Sequence, residues 1–104
     1  MPAVARGNSR DGVNTEHGCA GATRTSGGSF DVLVNGTGVH RHNDDNVNHT
    51  IPCGDSCCGH SARIMLASPN VLANGKGVAR QGDRYNNGCG SVSSGSNNVL
   101  ANGG

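Results

Sequence analysis

The chain contains no tryptophan, one phenylalanine (Phe30) and one tyrosine (Tyr85), and only 33% of its 104 residues are hydrophobic. Apolar burial yields roughly 25 cal/mol per Å², whereas ordering one residue costs about 1–2 kcal/mol. A chain whose apolar residues are mostly alanine and valine gains too little by burial alone. A metal, disulfides or a partner surface has to supply the rest. No run approaches the roughly 20 apolar residues of a membrane span, so stable membrane anchoring is not expected. The N-terminal stretch Met1-Pro2-Ala3-Val4-Ala5-Arg6 has no apolar signal segment, which points to synthesis in a cytoplasm. Disulfides are disfavoured there, and five cysteines is an odd number for a disulfide framework. Charge is also scarce, at 14% of residues with a net charge of +1. With neither a basic patch nor an aromatic platform, there is no support for nucleic-acid binding. Disordered chains of low hydrophobicity usually carry much more charge, so this composition favours order.

What the chain does contain is self-similarity. Residues 29–44 read SFDVLVNGTGVHRHND, residues 68–83 read SPNVLANGKGVARQGD, and residues 96–104 read SNNVLANGG. Each unit places Asn-Gly between short apolar runs, the strongest short-range hairpin signal, because a type I′ turn needs positive φ at both central positions. Hairpin turns are predicted at Asn35-Gly36 and Asn74-Gly75. Val32, Val34, Val39, Val71 and Val78 suit the flanking strands. The third unit lacks its second half, and a matching half lies at the other end of the chain. Val4-Ala5-Arg6 corresponds to Val39-His40-Arg41 and to Val78-Ala79-Arg80. The N-terminal strand is therefore expected to pair near Val99-Leu100-Ala101, so that three hairpin units surround one axis. Three connectors, 12–28, 45–67 and 84–95, hold His17, His49, His60 and all five cysteines. Connectors leaving the same end of three related hairpins converge, which brings these side chains together.

The halves Val32-Leu33-Val34-Asn35-Gly36 and Val78-Ala79-Arg80-Gln81-Gly82-Asp83, with His17-Gly18 in the first connector and Cys89-Gly90 in the third, resemble the PAAR-repeat proteins over nearly the whole chain. That resemblance implies an all-β fold: a small pointed cone of three β-hairpin units with pseudo-threefold symmetry and a metal at the apex. It implies one zinc ion held by His17, His49, His60 and Cys89. Four N/S ligands suit a structural zinc site, and metal binding of this kind supplies on the order of 10 kcal/mol of folding free energy. Iron, or a ligand set drawing on Cys53, Cys57 or Cys58, remains an alternative, because Cys53-x3-Cys57 also has zinc-ligand spacing. Relatives often have glycine where Cys19 stands, and a small half-buried residue is expected there.

The resemblance further implies a spike tip that caps the trimeric β-helical central spike of a contractile injection machine, one tip per trimer, and helps to pierce the target cell envelope. Its expected location is the tail spike of a virion, as part of a phage tail baseplate, after synthesis in a bacterial cytoplasm. The alternatives are a type VI secretion spike tip and, from another class, a free-standing metal-binding module. A secreted disulfide scaffold is a third class. A single domain over 1–104 without an extension domain is expected, because the chain stops as the third unit closes. No enzyme is expected: four protein ligands leave a zinc ion no open position, and the many serines fall in turns. His40 and His42 alternate onto one face of a strand half and are expected to be exposed or base-facing. Gly82-Asp83 and Asn43-Asp44 read as turns. Arg6, Arg41 and Arg80 recur at equivalent sites, either around the axis, toward a partner or on a solvated face.

Overall fold

A computed structural model describes residues 2–16 and 18–101, and the backbone alone of Asn87. His17, the first of the expected metal ligands, lies outside the described residues. The strands are β1 (Gly12–Asn14), β2 (Ala22–Arg24), β3 (Leu33–Val34), β4 (Thr37–Gly38), β5 (His49–Cys53), β6 (Ser56–His60), β7 (Leu72–Ala73), β8 (Lys76–Gly77) and β9 (Ser91–Val92). A 3₁₀ turn spans Asn86–Gly88. Beyond that turn, the described residues are all-β, arranged as several small sheets in a body of 42 × 25 × 23 Å.

The Asn-Gly turns form where the sequence places them. Asn35 and Gly36 have φ of 54° and 81°, and Asn74 and Gly75 have 56° and 77°. These values join β3 to β4 and β7 to β8 with the two-residue turn that matches strand twist. The N-terminal segment completes the third unit, with Ala3 bridging Leu100. The Val4 N–H donates to the Val99 carbonyl at 2.9 Å, just as Val39 donates to Val32 and Val78 to Val71. A further set of bonds joins the three units to one another. The Ala5 N–H donates to the Ala79 carbonyl (2.9 Å), the Ala79 N–H to the His40 carbonyl (2.8 Å), and the His40 N–H to the Ala5 carbonyl (3.0 Å), closing a ring.

Outside this ring, three arginines hold three turns. Arg6 pairs with Asp11, Arg41 with Asp44 and Arg80 with Asp83, at 2.9, 2.8 and 2.9 Å. In each case one carboxylate oxygen accepts from both the arginine Nε and its backbone N–H, while the other accepts from Nη2. The bidentate geometry fixes the side chain and the chain reversal together. This settles the role of the repeated arginines: they are internal clamps. The turns expected at Asn43-Asp44 and Gly82-Asp83 are present, with Asn43 at φ 71° and Gly82 at φ 93°.

The connectors are more regular than their Gly/Ser/Asn-rich composition suggests. The first and third pair as a three-stranded sheet ordered β2-β1-β9, and the second is the hairpin β5–β6. Two small apolar clusters form the core. One gathers Val13, Ala62, Ile64, Tyr85 and Val92, and the other Val4, Val34, Val39, Ala73, Val78 and Ala101.

Two sequence expectations are corrected. His40 is fully buried instead of exposed or base-facing. Its Nδ1–H donates to the Gly27 carbonyl at 2.6 Å, and its Nε2 accepts from the Tyr85 hydroxyl at 2.8 Å. The alternation argument failed because the ring turns this position inward, where Ala5 and Ala79 also lie fully buried. The second correction concerns disulfides. Cys19 is bonded to Cys57 and Cys53 to Cys58, with Cα separations of 6.1 and 5.9 Å. Cys19 is therefore an exposed bridging residue, not a half-buried space-filler. Compartment and parity are poor guides here, because an odd count is met by two disulfides with Cys89 outside them. In the chain-entropy description, a cross-link over 38 residues contributes about 4 kcal/mol and one over 5 residues about 2 kcal/mol.

Burial pushes the His40 imidazole below its ordinary 6.5, the hydrogen bond to the Gly27 carbonyl and the nearby Asp44 and Asp45 charges only partly opposing it. The unfolded chain therefore takes up a proton near pH 6.5 that the folded chain resists. The resulting stabilisation is complete above that pH and is lost as pH falls, by up to about 1.4 kcal/mol per pH unit. Urea unfolding of wild type and His40→Gln across this range should show a steeper acid loss in wild type. Equal slopes would mean that His40 does not control it.

Candidate metal centre

Strand register brings the first two donors together. His49 opens β5 and His60 closes β6, and the two are directly paired across the hairpin. Their rings meet edge to face, 4.4 Å between centroids, with the Nε2 atoms 2.9 Å apart. The third donor comes from the last connector. The 3₁₀ turn at Asn86–Gly88 ends on Cys89, whose N–H returns to the Asn86 carbonyl at 3.1 Å. This sets the Cys89 Sγ 3.1 Å from the His60 Nε2. The three donor atoms lie within 4.8 Å of one another, with His49 and Cys89 buried and His60 half-buried.

Gly90 is required for this placement. It has φ +82°, and a Cβ there would overlap the carbonyl oxygen of Asn14 at the end of β1. The cysteine turn therefore packs directly on the first connector. In the same connector, Glu16 pairs with Arg84 at 2.8 Å, Gly18 lies against Pro52 of β5, and Cys19 is bonded to Cys57 of β6.

The donor set fits a metal ion. The His49 Nδ1–H donates to the Val47 carbonyl at 2.9 Å, which leaves the Nε2 lone pair directed at the cluster, the usual outer support of a ligating histidine. A tetrahedral zinc ion with Zn–N near 2.0 Å and Zn–S near 2.3 Å would set N···N at about 3.3 Å and N···S at about 3.6 Å. The observed separations are a few tenths of an ångström shorter, a difference side-chain rotation absorbs. Burial pushes the Cys89 thiol up from its ordinary value, and a cation beside it reverses that by stabilising the thiolate.

The structure thus gathers His49, His60 and Cys89, three of the four expected ligands, into a group that could bind a metal ion. The alternative set from the second connector is not available, because Cys53, Cys57 and Cys58 are all in disulfides. Among known protein families no model matches the chain, and no characterised protein matches it significantly.

His60→Ala and Cys89→Ala each remove one donor, and each should lower the melting temperature by several degrees or more and abolish metal content by elemental analysis. Gly90→Ala leaves every donor in place but displaces the cysteine turn. It should also reduce metal content, and full metal retention in that variant would show that the turn does not set the site.

Proposed function

We propose that the chain is a structural spike tip: a small cone with pseudo-threefold symmetry that caps a trimeric β-helical spike in a contractile injection machine. The observation that carries this reading is the ring of bonds among Ala5, His40 and Ala79. It joins three similar hairpin units around one axis, which lets a single chain match a threefold end.

Surface chemistry supports the same reading. Leu33, Leu72 and Leu100 occupy the same place in the three units and are 57%, 59% and 53% exposed, and Phe30 is 100% exposed. Large apolar side chains left in water at three corresponding positions suit a trimeric partner better than a solvated surface. Neighbouring hairpins are also tied to one another by side chains. The Asn35 amide donates to Asn98 Oδ1 at 3.0 Å, and the Asn74 amide to Asp31 Oδ1 at 2.8 Å.

On this reading the metal sits at the apex, where the connectors meet. His49, His60 and Cys89 hold it, and His17 supplies the fourth donor. A closed shell of this kind gives no open position for a substrate, so the ion acts as a fastener. Zinc suits two or three imidazoles and one thiolate better than magnesium or calcium does. On contraction the base passes load to the spike and the fastened apex meets the target envelope. A phage tail spike is the preferred setting.

Mixing the protein with a trimeric β-helical spike from the same particle should give one tip per three spike chains by native mass spectrometry. Three tips per trimer would overturn the cap. A protein that binds metal but no spike would instead be a free-standing metal-binding module.

A further inference from the structure

The first connector crosses from the cysteine side of the donor cluster to the histidine side. At its start, Asn14 packs on Gly90, next to Cys89. Further along, Gly18 lies against Pro52, three residues beyond His49, and Cys19 is bonded to Cys57, three residues before His60. The segment between β1 and β2 is closed on itself by the Thr15 N–H donating to the Gly21 carbonyl (3.0 Å) and the Thr15 hydroxyl donating to the Ala20 carbonyl. A Glu16–Arg84 ion pair, almost half exposed on both sides, ties it to the third connector, and such pairs contribute little. On the hairpin side Gly18 lies against Pro52, and Cys19 is covalently bonded to Cys57.

The two disulfides have separate tasks. Cys57 faces Pro52 across the hairpin and Cys58 faces Ile51, so the alternation of side chains places Cys57 and Cys58 on opposite faces. Cys53–Cys58 lies within the β5–β6 hairpin and stiffens its turn end, whereas Cys19–Cys57 ties that hairpin to another part of the chain. Cys19, Cys57 and Cys58 are exposed and Cys53 is half-buried, while Cys89 is buried. Small thiols and disulfides in solution therefore reach the bridging cysteines before they reach the metal donor.

We infer that the Cys19–Cys57 bond is a redox-sensitive strap that locks the metal into the His49–His60–Cys89 centre. This rests on the metal-centre reading and is independent of what the protein caps. In the reduced chain the connector swings away from β6 and the ion exchanges readily. In the oxidised chain that opening is forbidden by a covalent bond. Closure proceeds by thiol–disulfide exchange with a small-molecule disulfide such as oxidised glutathione. One cysteine thiolate displaces half of that disulfide to give a mixed disulfide. The second cysteine then displaces the other half, forming Cys19–Cys57. Two protons leave the cysteines, and the small-molecule disulfide is reduced to two thiols. The order that follows is loading in a reducing compartment and locking on reaching an oxidising one.

The test measures zinc transfer from the folded, zinc-loaded protein to the chromophoric chelator 4-(2-pyridylazo)resorcinol. Wild type and Cys53→Ser/Cys58→Ser, which both keep the strap, should release zinc at similar slow rates. Cys19→Ser/Cys57→Ser should release it about tenfold faster or more, since a cross-link closing a long loop restricts opening strongly. Should that variant fail to fold, Cys53→Ser/Cys58→Ser with and without prior reduction gives the same comparison on one protein. Release rates within about twofold in strapped and unstrapped forms, with one zinc bound in each, would overturn the strap but leave the centre intact. Absence of bound zinc in every form would overturn the centre itself.

Discussion

Three backbone hydrogen bonds, linking Ala5, Ala79 and His40 in a closed ring, hold the rest of the molecule in place. Each member belongs to a different unit, and one is supplied by the N-terminal segment. The third hairpin cannot be finished locally, because Val4 must reach Val99 before that unit has a second strand. Local turn chemistry forms the units, but the ring sets their arrangement. Pairings this distant in sequence delay folding, because loop-closure entropy is lost before contact energy is gained. The ring also dictates side-chain size. Ala5 and Ala79 are fully buried, and the third position takes a histidine because its ring finds Gly27 on one side and Tyr85 on the other.

A core of two small clusters leaves much of the stability to polar and covalent contacts. The three Arg–Asp clamps are the clearest case. A buried ion pair is weak evidence for stability, since desolvation offsets much of the attraction. Here each carboxylate also receives a backbone N–H, so its acceptor sites are well used and the turn after each strand has one geometry. Specificity of chain direction is what these pairs contribute, more than net energy. The Tyr85–His40 contact acts similarly: burial holds the Tyr85 hydroxyl well above its ordinary range, which keeps it a neutral donor to the histidine.

The repeat was legible in the sequence because its signals are local and stereochemical. Asn35-Gly36 and Asn74-Gly75 demand positive φ, and the match of Val4-Ala5-Arg6 to the other halves located the pairing with Val99-Leu100-Ala101. The convergence of His49, His60 and Cys89 followed from the same logic, since connectors leaving related hairpins had to meet. What was hidden depends on tertiary partners. The strands Gly12–Asn14, Ala22–Arg24 and Ser91–Val92 have no period long enough to declare themselves and exist because they pair with one another. His40 departs from two-residue alternation because alternation presumes a flat sheet, whereas this segment is bonded into a closed ring. The disulfides were missed because compartment statistics cannot see that Cys19 and Cys57 lie on facing segments. A Cys57-Cys58 dipeptide in a hairpin, with its side chains sent to opposite faces, is a signal that could have been used: each cysteine can serve a different partner.

A metal held by the donor cluster would fasten the hairpin β5–β6 at a different level from the disulfides. The histidines form its first cross-strand pair, at the open end, while Cys53 and Cys58 lie near its turn. Between them the hairpin is largely exposed, so packing cannot stiffen it. An isolated two-stranded hairpin is marginal in water. A donor cluster at one end and a covalent link at the other remove the two modes by which such a ribbon fails, splaying at the base and fraying at the tip. Neither fastener replaces the other. A metal site releases its ligands when a proton or chelator competes for them, and a disulfide opens only to thiols or reductants. On the spike-tip reading, a part loaded during contraction would meet acid, chelators and reductants in no fixed order. Two fasteners with unrelated chemical weaknesses then keep the leading hairpin intact through conditions that would open either one alone.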